Sequence, residues 1–263
     1  MGRLAKRIED KEVLRLIRRY LQAGMLVNGL VVARDEGTPQ GGPLSPLLAN
    51  GLLDEVDKQL EQRGHHFVRY ADDLNVYVGS KRAGERVMQA LKGMYDKLKL
   101  QVNDAKSAVA PVGERKFLGF TLLVSQGQPY IAVAAQSVEK FKIKVRTLTS
   151  RVNGRSMAVT IHNLNIYLRG WYGYFGKTEH PYTIPRLAGW VRRRPRCLCL
   201  KQWKHGKGIY RGLRKLGVNP RGSREVAAYA GRWWWLSANQ TNTAPPNTYF
   251  DQLGACRSIP TRS

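Results

Sequence analysis

The runs His66-Phe67-Val68-Arg69-Tyr70 and Leu74-Asn75-Val76-Tyr77-Val78 flank the three residues Ala71-Asp72-Asp73. Both runs are rich in the β-branched and aromatic residues that pack on a pleated surface, so the segment predicts a β-hairpin with the two carboxylates at its tip. A sheet of this kind holds adjacent carboxylates rigidly enough to serve a hard divalent cation. Mg²⁺ is bound through one or two carboxylates together with substrate phosphates. Asp is also common in turns, because its side chain bonds to nearby backbone. The hairpin alone therefore leaves both roles open.

Charge narrows the choice. Of 263 residues 43% are apolar, ample for a packed core, yet the net charge is +25. It is concentrated in one half: residues 1–136 carry 20 Lys and Arg against 15 Asp and Glu, whereas residues 137–263 carry 24 against 4. Unbalanced positive charge costs stability by self-repulsion. A polyanion removes that cost and releases condensed counterions as its phosphates are neutralised. Nucleic acid is the expected partner class. No run of about 18 apolar residues is present, so no membrane span is expected. The first ten residues lack the apolar core of a signal peptide. With only Cys197, Cys199 and Cys256 present, a reducing cytoplasm is the expected compartment. Cys197-Leu198-Cys199 lacks zinc-site spacing, and neither thiol is expected to bind metal.

Hydrophobic periodicity predicts helices over 11–23, 47–63 and 81–99, and strands over 29–33, 116–124 and 129–133. Beyond residue 136 the strand signals fade, and helices are expected over 138–152, 160–175, 183–199 and 208–216. The fold class is α+β: an antiparallel sheet with helices over 1–136, then a basic, mostly α-helical domain over 137–263. The stretch from about 217, rich in Asn, Pro and Gly, is expected to be irregular.

One further block is specific. In Gly37-Thr38-Pro39-Gln40-Gly41-Gly42-Pro43-Leu44-Ser45-Pro46 the glycines permit close backbone approach and the prolines stiffen the flanks. The helix after it offers an N-terminus favourable to phosphate. Followed by Tyr70-Ala71-Asp72-Asp73, this block resembles reverse transcriptases encoded by bacterial group II introns. The resemblance implies a partial palm domain. In it Asp72 and Asp73 are the catalytic residues that hold Mg²⁺, and Pro39, Gln40, Gly41, Gly42, Tyr70 and Ala71 shape the nucleotide and template site. Two later blocks fit the same order. Leu100 to Ser107 resembles the palm segment whose lysine, here Lys106, faces the incoming triphosphate. Phe117-Leu118-Gly119 resembles the primer grip.

The basic half resembles the thumb, or maturase, domain of the same family, which binds intron RNA and assists splicing. Arg192, Arg193, Arg194 and Arg196 form a cationic cluster, and Lys201, Lys204 and Lys207 repeat at three-residue spacing, as if along one helical side. With Arg211, Arg214 and Lys215 they are the expected RNA-binding residues, since Arg forks suit phosphate and Arg, Tyr and Trp planes stack on unpaired bases. Trp171, Tyr172, Tyr174 and Phe175 are expected to serve helix packing, and Trp233-Trp234-Trp235 to plug the domain.

The expected partners are thus group II intron RNA, an RNA template with a DNA primer, and dNTPs. In the family a third catalytic Asp lies on a strand preceding the helix that resembles 11–23, itself preceded by the fingers. Asp35, Asp54 and Asp57 give no sequence reason to replace it. The expectation is an N-terminally truncated member without an endonuclease module. An RNA-binding maturase remnant without polymerase activity is the alternative.

Overall fold

The computed structural model describes residues 1–2, 4–23, 25–27, 30–32, 42–239 and 245–253; Pro39, Gln40 and Gly41 lie outside them. The chain divides into two compact units, Met1–Ala110 and Pro111–Ser263.

In the first unit, helix α1 (Lys11–Gln22) starts where the Asp10 carboxylate accepts from the backbone N–H groups of Glu12 and Val13, satisfying donors that a helix start leaves open. Two short strands, β1 (Met25–Val27) and β2 (Leu30–Val32), pair antiparallel. Helix α2 (Ser45–Gln62) ends in a Schellman motif. Gly64 takes φ 70°, and the His65 N–H returns to the Leu60 carbonyl. The chain then enters β3 (His66–Tyr70), which pairs antiparallel with β4 (Asp73–Tyr77). Helix α3 (Lys81–Lys97), capped by the Ser80 hydroxyl, follows. Val56 and Leu60 of α2 and Leu91 and Met94 of α3 form the core, and Phe67, Leu74 and Val76 of the hairpin pack onto it. Burial of each large apolar side chain contributes about 1.5–3 kcal/mol. Strand alternation leaves His66, Val68 and Tyr70 exposed on the other face.

In the second unit, β5 (Lys116–Phe117), β6 (Phe120–Ser125) and β7 (Gln128–Val133) form a three-stranded antiparallel meander. Seven helices follow among the described residues: α4 (Ala135–Leu148), α5 (Met157–Phe175), α6 (Thr183–Trp203), α7 (Gly206–Lys215), α8 (Pro220–Ala228), α9 (Trp233–Asn239) and α10 (Asn247–Gln252). Helix α6 is the spine. Its first half joins Phe141, Val145, Leu164 and Leu168 in one core. Leu198 and Cys199 enter a second with Ile161, and Leu200 a third with Ile209, Leu213 and Val226. Residues Pro195 to Leu200 are all buried, as a helix surrounded by others requires.

The composition change at residue 136 and the packing division at Ala110 do not coincide. The meander belongs with the helices, because the loop after α5 ties onto β7: Glu179 donates its N–H to the Ile131 carbonyl, and its carboxylate accepts the Ile131 N–H at 2.7 Å. Among the described residues, the stretch from 217, expected as irregular, is instead mostly helical. Gly217 (φ 82°) closes α7 with a Schellman motif, in which the Val218 N–H reaches the Leu213 carbonyl. The Asn219 side chain then caps α8 at the Gly222 N–H, 2.7 Å, and Pro220 sits in the first turn. The Asn, Pro and Gly that looked like breakers are helix punctuation.

Candidate active site and nucleic-acid interface

The hairpin register pairs Tyr70 with Asp73 and leaves Ala71-Asp72 as a two-residue turn. Asp72 therefore sits in the turn itself and Asp73 opens β4, with both carboxylates exposed. Ala71 takes φ 53° while Asp72 does not lie at positive φ. These are the φ signs of a II′ turn, in which glycine ordinarily takes the first position. Alanine there costs on the order of 1 kcal/mol, so neighbouring groups must hold it.

Arg69 supplies that hold. Alternation turns it toward α2, where its guanidinium binds Asp57 through Nε at 2.8 Å and Nη2 at 2.5 Å. Its Nη1 donates to the Ala71 carbonyl and to Asn50 Oδ1, each at 2.9 Å. The Asp57 carboxylate beside it raises the Arg69 pKa. The Arg69 and Asp57 side chains are only 12% and 20% exposed. Asp57 gave no sequence reason to approach the hairpin, yet it reaches the acidic turn through Arg69. The signal lay in Arg69: an arginine on the inward face of an apolar strand demands a buried acceptor. Asn50 and Asp57, seven residues apart, share one face of α2.

Gly42 precedes α2, whose N-terminus has no side-chain cap; the Ser45 N–H turns back to the Gly42 carbonyl, and Pro46 in the first turn has no N–H to offer. Lys106 stands exposed in a turn begun by Asn103, whose side chain accepts the Lys106 N–H. Among the described residues no group of three or more His, Cys, Asp or Glu side chains is placed to hold a metal ion. Asp72 and Asp73 present two exposed carboxylates, the donor type that a hard cation shares with substrate phosphates.

The primer-grip candidates lie in the second unit. Phe117 pairs with Phe120, and Leu118-Gly119 form the turn, at φ 52° and 82°. Tyr174 Oη donates to the Leu118 carbonyl and Ser137 Oγ to the Gly119 carbonyl, both at 2.9 Å. A Cβ on Gly119 would meet the Phe175 ring at 3.0 Å. The aromatics of α5 are engaged in packing, as expected. Trp171 lies 4.4 Å from Phe141 and 4.8 Å from Phe175, ring centre to ring centre.

The α6 arginines divide. Arg192 is exposed. Arg193 donates to the Trp234 carbonyl and lies 4.0 Å over its ring. Arg194 donates to the buried Thr149 hydroxyl. Arg196 is buried, and burial lowers its pKa. The lysines do not share one helical side: Lys201 belongs to α6 and sits over Trp233, Lys204 at φ 62° ends that helix, and Lys207 belongs to α7. On α7 the spacing of Lys207, Arg211, Arg214 and Lys215 gathers four exposed cations on one face. Trp233 packs against the core, whereas Trp234 and Trp235 are 39% and 42% exposed, so only part of the tryptophan run is a plug.

Residues 3–122 match the family described as reverse transcriptase (RNA-dependent DNA polymerase). Residues 138–217 match the group II intron, maturase-specific domain. Among curated relatives, the chain is 30% identical to Protein YkfC of Escherichia coli (strain K12), over an alignment taking in 47% of this chain and 42% of that protein. It is 44% identical to the group II intron-encoded protein LtrA of Lactococcus lactis subsp. cremoris, over 26% of this chain and 12% of LtrA. To the retron Ec86 reverse transcriptase of Escherichia coli it is 26% identical, over 52% of this chain and 40% of the relative. The chain thus spans under half the length of the curated relatives it matches. With a reverse transcriptase region followed in order by a maturase-specific domain, it belongs to the group II intron-encoded reverse transcriptase and maturase family.

Proposed function

We propose that this chain serves RNA-templated DNA synthesis by nucleotidyl transfer and binds the intron RNA whose splicing it assists. The observation that carries the first part is the Asp72–Asp73 turn, exposed and held by the Arg69 guanidinium. In this reading the two carboxylates hold Mg²⁺ with the phosphates of an incoming dNTP; the ion, when bound, neutralises charge developing on the transferring phosphate. Gln40 and the glycines beside it shape the nucleotide pocket, Lys106 faces the triphosphate, and Phe117, Leu118 and Gly119 steady the DNA primer on its RNA template. The basic helical unit grips intron RNA. We place the protein in the cytoplasm, in keeping with the free, buried thiols of Cys197 and Cys199. No helix among the described residues is long and apolar enough to cross a membrane.

A second reading, RNA binding without polymerisation, is favoured by one observation: no third carboxylate joins the pair among the described residues. Primer extension by the purified chain, with Mg²⁺, dNTPs and an RNA template, separates the two. Synthesis that Asp72→Ala abolishes supports the first. Absence of synthesis with intron RNA binding retained leaves the second.

A further inference from the structure

Helices α7 and α8 form an antiparallel pair, and the groove they share, about 440 Å³, is lined by Lys207, Tyr210 and Arg211 from one helix and Arg224 from the other. None of the three cations forms an ion pair among the described residues. The acid nearest in sequence, Glu225, is already bound by Arg221 at 3.2 Å. The groove therefore keeps its positive charge for an outside anion. The groove wall continues along α8 to Ala228, and the next residue, Tyr229, is 45% exposed. Its ring meets that of Trp235, itself 42% exposed, at 5.3 Å between centroids and 52° between planes. Two large aromatic rings thus form an open, solvent-facing corner at the end of a cationic groove.

Each half of this surface is explained by a different part of one ligand. Unneutralised guanidinium and ammonium groups along a groove suit a run of phosphates. Exposed aromatic planes suit bases that are not stacked in a helix, because a duplex hides its base faces. We infer that the α7–α8 groove and the Tyr229–Trp235 corner together bind a single-stranded segment of RNA, phosphates on Lys207, Arg211 and Arg224, and a splayed base on the aromatic pair. This deepens the proposal that the basic unit binds RNA, and rests on it. Arg224, Tyr229 and Trp235 lie beyond residues 138–217, so the site extends past the stretch that matches the maturase-specific domain.

The test is fluorescence anisotropy with a labelled single-stranded RNA oligonucleotide, its blunt duplex and the equivalent DNA strand, using the full chain. The single-stranded RNA should bind tightest. Trp235→Ala and Tyr229→Ala should each weaken it about 10-fold, while Trp235→Phe and Tyr229→Phe, which keep the rings, should stay within about 3-fold of the parent. Arg224→Gln should flatten the dependence of log affinity on log salt by about 0.7, the value of one phosphate contact on a single strand. Unchanged far-ultraviolet circular dichroism checks that each variant folds. Alanine variants that bind like the parent, a duplex bound as tightly as the single strand, or DNA bound more tightly than RNA would each overturn the assignment. A parent chain that binds no RNA at all would instead sink the broader reading of the basic unit.

Discussion

The Asp72–Asp73 turn and the Arg192–Arg196 segment are both dense clusters of charge within a few residues, and the fold treats them in opposite ways. In the hairpin, a two-residue turn puts both carboxylates at one exposed tip, so their placement follows from local register. In α6, each residue turns about 100° from the last. Arg192, Arg193 and Arg194 therefore point in three directions, while Arg196 lies one turn beyond Arg192 on the same face, and surrounding helices decide their fate. Arg192 meets solvent, Arg193 and Arg194 bind Trp234 and Thr149, and Arg196 is buried. A charge cluster announces a site where the backbone turns it outward. On a central helix it is divided between surface and structure.

The comparison breaks first if α6 is not the buried spine. Leu200 is fully buried among Ile209, Leu213 and Val226. Leu200→Ala should cost about 3–5 kcal/mol, transfer and cavity terms together, read as a shift in the urea midpoint. A cost below about 1 kcal/mol would mean that the site collapses or is not packed.

The next largest effect concerns the hairpin. Asp57→Asn removes the charge opposite Arg69, a pair that still sees some water. The cost should be about 2–3 kcal/mol, somewhat less than for a fully buried pair. RNA-templated DNA synthesis should fall as well, because the Ala71 carbonyl loses a positioned donor. RNA affinity of the basic unit should not change. A stable variant with intact synthesis would show that the turn holds itself.

Much of this was legible in the sequence because it is local. Alternation around Ala71-Asp72-Asp73 gives the hairpin, and Val13, Leu14, Ile17 and Leu21 give α1. The Asp57–Arg69–Ala71 contact is not local, since it joins residues 12 apart across a helix–strand packing face. Only the unexplained inward arginine hinted at it. The helices after Gly217 were missed for a different reason: Gly217, Asn219 and Pro220 are breakers inside an element and start or stop signals at its ends, and only the Val218–Leu213 contact decides which. Lys201, Lys204 and Lys207 looked periodic because a helix end cannot be seen in spacing alone.

A smaller effect reports on the interior of α6. Burial pushes the Cys199 thiol up to about 12, against an ordinary thiol near 8.5–9. Both folded and unfolded chains hold the proton below about pH 8, so the thiol contributes no pH dependence there. Between about 9 and 12 only the unfolded chain ionises, and stability should fall by about 1 kcal/mol per pH unit. The comparison with Cys199→Ala, which lacks that slope, isolates the thiol from lysines and tyrosines. Parallel slopes in the two proteins would place Cys199 in contact with water.

The finest test asks whether neighbouring arginines differ as their surroundings require. Arg192 is exposed, so Arg192→Glu should leave stability within about 0.5 kcal/mol. The same change places a negative charge where a phosphate would approach, and should weaken binding to single-stranded RNA and flatten its salt dependence by about 0.7. Arg196→Gln should do the reverse. The buried side chain cannot meet a phosphate without unfolding the helix around it, so the salt slope should stay unchanged. Loss of its buried contacts should cost about 1–3 kcal/mol. If both variants shift the salt slope alike, α6 exposes a continuous cationic face and the contrast with the hairpin disappears. If only Arg192→Glu does, the two residues, four apart and identical in type, serve separate ends, one the RNA surface and the other the packing of the helix that carries it.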